Sequence, residues 1–447
     1  MVYIFTLPTT SHLFFQTFFT SSTHPSLPQS ASTARHALRL ALKTHKHLPR
    51  GPQQDAHLST ILTTLNDYLP YLFSISHGLC DKPTENNGED VEITLRSEVE
   101  AEWRATLTST TSLPSFKNVG VTGPTQQKDG RVRGRGIDFE IAFTLTTLGY
   151  VLSGIARCGL LRTLYNVKTP TAEQRAAAVQ SATRCLLQAS SVHALLASSP
   201  SFSSVAAATV ARGVVNSFAV PDLDPATQAA LSALALGEAT LLAMLKDDVY
   251  VAACIQTRNP YDKDWVVGAP EVPKVRALLF ARLCVRAAEY AEQAASGLGS
   301  VRAEGKHTAV NNDLVKYTQV LGRVARAKAC RFFGIDAELA GKVGEAIAWL
   351  RAAKGVLALR NSSSDESTDA YTSKSKSLGG FSKLKREWTE RREEKKMERD
   401  AGGKDHRGSI ERGELDPGDS AGRDEEARVI LMLEAKWVKM NDTVSWH

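Results

Sequence analysis

The chain has 447 residues, 43% of them hydrophobic and 23% charged, with six cysteines and a formal net charge of +6. That length can bury a sizeable core, and with aromatics at only 7% the core must be mostly Ala, Leu and Val, which suits packed helices better than a β-sandwich. No run of 18 or more apolar residues occurs, which argues against a membrane-spanning helix.

The apolar N-terminus lacks a basic leading region and carries Pro8 and His12, so it does not read as a signal peptide. Residues 30–76 read as two helices. Pro49-Arg50-Gly51 closes the first, and the second runs from Ser59 to Pro70. The pattern then turns strand-like at Val91–Leu95 and Glu102–Leu107, giving a small β-element near residues 91–135 with a mobile tip around Gly120–Gly136. Helical periodicity follows over Ile137–Tyr165, Ala172–Leu196, Gln228–Lys246, Lys274–Leu298, Asn311–Phe333 and Asp336–Leu359. These segments have Ala at close-packing positions and no strict 34-residue period, which predicts an irregular α-solenoid of helical hairpins rather than a regular repeat array.

Charge is distributed unevenly. Between Asn361 and Glu426, 31 of 66 residues are charged and the net is −3, leaving +9 on the rest of the chain. Such a stretch cannot repay its ordering entropy by burial, so residues 361–426 read as a disordered insertion. A last amphipathic helix, Glu426–Met440, is expected to return and complete the same single domain.

Residue patterns for chemistry are missing. Gly341-Lys342-Val343-Gly344 has the residues of a phosphate loop in the wrong order, and no HExxH, GxSxG or strand-linked GxGxxG occurs. No catalytic residue, cofactor or metal ligand is expected, and Asp247-Asp248 reads as a solvated pair at a helix end. Four of the cysteines (Cys158, Cys185, Cys284, Cys330) sit in helical Ala/Leu patterns, as buried thiols of a cytoplasmic chain would. Arg35, Arg39, Lys43 and Lys46 form one positive face, either simply solvated or facing an anionic membrane. Arg131, Arg133 and Arg135 fall on a Gly-rich loop. No stacking aromatics interleave with these bases, so nucleic acid is not an expected partner.

Several segments, in order, resemble the Bro-one domain family. Phe139-Glu140 with Leu145, Leu148 and Tyr150 is similar to its "FExasvLfNigaLyS" helix, and Ala288-Glu289-Tyr290 to its "AAdYy" helix. Gly344–Leu350 resembles its "yGeaIArL" helix, and Asn441-Asp442 after Trp437 its closing "kkDNDxIY". Departures exist: the LfN signature reads Leu145-Thr146-Thr147 here, and the "AQAQE" stretch is matched only loosely by Ala233–Ala239. The opening Phe5–Thr10 and Leu65–Phe73 look like members acting in fungal ambient-pH signalling.

The resemblance implies a banana-shaped α-solenoid. It also implies a non-enzymatic adaptor that binds the C-terminal helix of the core ESCRT-III filament subunit, alongside other components of the pH-signalling complex, and is recruited to the plasma membrane or the endosome periphery. The alternative is a peripheral membrane scaffold in endosomal sorting that acts through the basic face. By matching family helices, the apolar partner contacts would fall on Leu241, Leu279, Leu283 and Val179. Polar contacts nearby would fall on Ala176 and Gln180, which cannot pair a charge.

Overall fold

The structure is a computed structural model that describes residues 2–80, 91–107, 131–166, 170–211, 220–256, 274–304, 310–359 and 420–444. These belong to one unit, Met1–Leu359 with Pro417–His447. The expected loop tip, up to residue 130, and the charged segment, up to residue 419, lie outside the described residues.

The N-terminal segment is not a surface tail. Val2, Leu7, Phe15 and Phe19 are buried, and β1 (Phe19–Ser21) pairs antiparallel with β2 (Ile93–Leu95). α1 (Leu27–His47) and α2 (Pro52–Leu79) turn at Gly51, whose φ of +138° is accessible to glycine. α2 does not end at Pro70 as the sequence suggested. It continues two more turns, holding Leu72 and Ile75 in the core, whose burial outweighs the one backbone bond Pro70 cannot make.

β3 (Glu100–Arg104) and β4 (Arg131–Arg135) form an antiparallel ribbon with Trp103 opposite Val132. Arg131, Arg133 and Arg135 therefore lie on a strand rather than a loop, and cross-strand Glu100 and Glu102, with Glu98 just before β3, pair with them.

α3 (Ile137–Leu164), α4 (Ala172–Ser198), α5 (Pro200–Ala211), α6 (Pro225–Leu245) and α7 (Val249–Gln256) follow. Local chemistry sets their starts. Thr171 and Gln174 make a reciprocal capping box on α4, and Asp224 caps α6 by accepting from the Thr227 amide at 2.8 Å. α3 and α6 are long and apolar enough to pass for membrane spans, but 83% and 72% of their apolar windows are buried, so they are the core helices of this unit.

α8 (Lys274–Glu304), α9 (Asn312–Leu339), α10 (Val343–Val356) and α11 (Arg423–Val444) complete the described chain. The sequence broke α9 at Gly334, whereas the helix runs through it to Leu339 and the chain turns at Gly341, at φ +79°. Gly334 is there for close packing: a Cβ would meet the Ala346 carbonyl at 3.2 Å and the Trp437 ring at 3.3 Å.

The helices pack in sequence order: α1 on α2, α2 on α3, α3 on α4, α4 on α6, α6 on α8, α8 on α9, α9 on α10 and α10 on α11. That succession, with a continuous apolar core, is the expected mainly α, solenoid-type fold with a small β-element.

Candidate functional site

α4 lies between α3 and α6, and its outer face, with α2, bounds a groove of about 1140 Å³. The groove is apolar along Leu62, Leu148, Leu152, Val179 and Leu187. Arg184 and Lys246 are the charged residues lining it, so the groove is basic. The Thr183 hydroxyl, also in the lining, is shielded from solvent and has no hydrogen-bond partner among the described residues. An apolar trough with a polar atom waiting and a positive rim is suited to an amphipathic helix carrying acids, since buried polar groups need partners.

The expected partner residues separate into two places. Val179 is buried on the groove floor, and Ala176 and Gln180 line the same groove. Leu241 is buried within α6, where it belongs to the core instead of an accessible surface. Leu279 is 52% exposed on α8 and Leu283 is half-buried one turn on. With Val275, also exposed, they form an i, i+4, i+8 row, while Ala277, Ala281, Cys284 and Ala288 seal the opposite face.

Sequence reasoning missed Arg184, Lys246, Thr183 and the two α3 leucines. Leu148 and Leu152 do sit at helical spacing, but α3 is apolar on nearly every face, so no stripe stood out.

The expected basic face changes in one member. Arg35 is 1% exposed: its Nε donates to Glu140 Oε1 at 2.8 Å and its Nη1 to the Ser11 carbonyl at 2.7 Å. Residues 35, 38 and 42 share one helix face, so Arg35 goes inward with Leu38 and Leu42 instead of outward with Arg39 and Lys43. Glu140 also accepts from the Tyr68 hydroxyl at 2.9 Å and Trp103 Nε1 at 2.7 Å, tying α1, α2, β3 and α3 at one carboxylate.

Asp248 is likewise not the solvated residue expected. It is buried and pairs with Arg331, which also donates to Glu426 Oε1 at 2.6 Å; Lys328 reaches Glu426 at 3.1 Å. Burial raises the Asp248 carboxyl, but the charges of Arg331 and Lys328 outweigh it and hold it below its ordinary value. This four-charge cluster fastens α11 to α9 and to the start of α7.

Of the cysteines, Cys158, Cys254 and Cys284 are buried, and burial pushes Cys158 up to about 12 and Cys254 up to about 11, so neither is a thiolate at neutral pH. Among the described residues no group of three His, Cys, Asp or Glu side chains could hold a metal.

Helices packed in series, with an apolar, basic-rimmed groove beside α4, define a helical solenoid, the class to which the Bro-one motifs of the sequence point. No family profile matches the chain. It is 58% identical over 453 residues to the "pH-response regulator protein palC" of Emericella nidulans, covering 100% of this chain and 84% of that protein. The chain belongs to the palC family of pH-response regulator proteins.

Among solved structures, it is similar to the ALIX BRO1–CHMP4C complex (16% identity, 82% of each chain, TM-score 0.44). It is also similar to ALIX bound to a SIVmac239 late-domain peptide (16%, 83% of this chain and 42% of that one, TM-score 0.47). A third is the Bro1 domain described for endosomal targeting (15%, 80% and 77%, TM-score 0.43).

Proposed function

We propose that this protein is a non-enzymatic adaptor of alkaline-pH signalling that docks the C-terminal helix of the core ESCRT-III subunit and brings that machinery to the pH-sensing complex at the plasma membrane. The observation that carries the reading is the Val275–Leu279–Leu283 row on α8, two exposed apolar side chains and a half-buried one on the face opposite the core-packed Ala277, Ala281, Cys284 and Ala288. Apolar side chains at i, i+4 and i+8 are the anchors that an amphipathic partner helix covers. The groove on α4 supplies a second contact region, and its Arg184 and Lys246 provide the charge that Ala176 and Gln180 lack. The sequence put the insertion at residues 361–426, but residues 423–426 already belong to α11 and Glu426 is buried against Arg331, so in this reading the insertion ends before Arg423 and α11 completes the single domain.

The test is Leu279→Asp against an ESCRT-III C-terminal helix peptide. Binding is expected to fall by more than tenfold, with far-UV circular dichroism and melting temperature unchanged, because Leu279 is half in solvent already. Unchanged affinity would remove the α8 row from the site.

A second reading is a peripheral membrane scaffold in endosomal sorting. Arg39, Lys43 and Lys46 support it, since all three stay at least partly exposed on α1. Each cation near an anionic bilayer contributes about 1 kcal/mol. Salt-sensitive sedimentation with anionic vesicles tests it.

A further inference from the structure

We propose that the N-terminal segment and α1 together form a membrane-docking surface, in which His12, His36, Arg39 and Lys43 receive a lipid phosphate and Phe14 and Leu40 enter the bilayer interface. The proposal rests on the membrane reading above and gives it a site.

The first observation is a convergence of positive charge. The His12 ring stacks on His36 with centroids 5.5 Å apart, and lies 6.3 Å from the Phe14 ring. Burial and the nearby charges of Arg39, His36, Lys43 and Arg35 hold His12 below its ordinary value. Arg39 is likewise lowered, by burial and then by Arg35 and Arg131. Glu140 is consumed inside by Arg35, Tyr68 and Trp103, and Glu102 faces Arg131 and Arg133 from the ribbon. The cations of α1 are therefore left facing one another.

The second observation is an orphaned donor. Arg39 Nε is shielded from solvent and has no hydrogen-bond partner among the described residues. A buried guanidinium N–H without an acceptor is costly, and a phosphate oxygen supplies both the acceptor and the countercharge.

The third is apolar exposure in the same place. Phe14 is 59% exposed and Leu40 48% exposed. Phe14 sits against His12, and Leu40 is one turn after His36 and three residues before Lys43. An aromatic and a leucine standing out of a cationic patch match the two halves of an interface, acyl region and headgroup. A soluble anion would use the cations and leave Phe14 and Leu40 in water, which is why the occupant is a lipid surface.

The test is co-sedimentation of the full chain with phosphatidylcholine vesicles carrying phosphatidic acid, or phosphatidylserine at equal net charge. Expected are tighter binding to the phosphatidic acid vesicles, and a loss of about tenfold for Arg39→Gln and for Phe14→Ala/Leu40→Ala. Lys46→Gln, at the far end of the helix, should cost less than about threefold. Binding of the ESCRT-III helix peptide by the same variants should be unchanged, which also reports that they fold. If anionic vesicles bind but the Arg39 and Phe14/Leu40 variants match wild type, the charge is diffuse and this site is wrong while the membrane reading stands. If no vesicle is bound, both are wrong.

Discussion

Arg35 and Glu140, 105 positions apart in the chain, meet at 2.8 Å where neither is in contact with water. The pair sits where four elements converge, and Glu140 is saturated by donors from three of them. Its role is to specify which helix faces meet.

Removing one partner leaves the other charge buried and uncompensated. Arg35→Met should therefore cost about 3–5 kcal/mol in urea unfolding. Arg35→Met/Glu140→Leu should recover part of that, since an apolar pair does not require desolvating a charge. Recovery short of measurable coupling would mean that Trp103 and Tyr68, not the ion pair, are the important partners.

The Arg331 cluster predicts a local effect. Arg331→Met removes the ion-pair partner of Asp248 and leaves Lys328 as the cluster's one cation beside two buried carboxylates. Hydrogen exchange over Arg423–Val444 should accelerate by at least about a hundredfold, while α1–α4 remain protected. Uniform acceleration across the chain would instead show that α11 opens only with global unfolding.

Glu238 predicts a pH dependence. It is buried in α6, accepts from the Tyr3 amide and the Tyr317 hydroxyl, each at 2.8 Å, and burial pushes it up to about 7 from 4.5. The hydrogen bonds and the positive charges of Arg157 and the amino end offset part of that burial effect. Between those two values the folded chain holds a proton that the unfolded chain has released. Stability from this group is thus greatest below about 4.5, falls by about 3 kcal/mol as pH rises to about 7, and is level above. Glu238→Gln keeps an acceptor and removes the titration, so urea midpoints should lose that slope. An unchanged slope would assign it to another group.

The groove charges predict a sign. Arg184→Glu with Lys246→Glu should weaken an acidic partner helix by about tenfold or more and leave the melting temperature within a few degrees. A partner helix that binds equally well would be held by the α8 row alone.

Much of the architecture was legible because long helices leave long signals. The periodicities at Ile137, Ala172 and Lys274 are close to the starts of α3, α4 and α8. What the sequence hid depends on contacts between distant segments. Gly334 looks like a terminator until Trp437, over a hundred residues later, packs against it. Pro70 looks like a stop because the leucines that carry α2 past it are judged only by burial. α5 and α7 are short, 12 and 8 residues, and α5 mixes Ser and Thr among its Ala and Val, so no clear period marks them. Accessibility was only half legible: motif matching led to Leu279 and Leu283, which are at least partly exposed, but also to Leu241, which is buried, because a helix period does not say which neighbour will cover a leucine.

The anchoring of the N-terminal segment sets a timetable for synthesis. Tyr3 bonds a carboxylate 235 residues later, and the Val2 carbonyl accepts from Arg157, 155 residues later. Ribosomes add about 5–20 residues per second, so Tyr3 waits at least on the order of ten seconds for its acceptor. Phe15 and Phe19 are covered much sooner, since their partners on α1, α2 and β2 all fall within residues 27–95. Docking of this segment is therefore split in time: its aromatics can pack as soon as α1 and α2 exist, while its Val2 and Tyr3 backbone groups are fastened only after α3 and α6 are made.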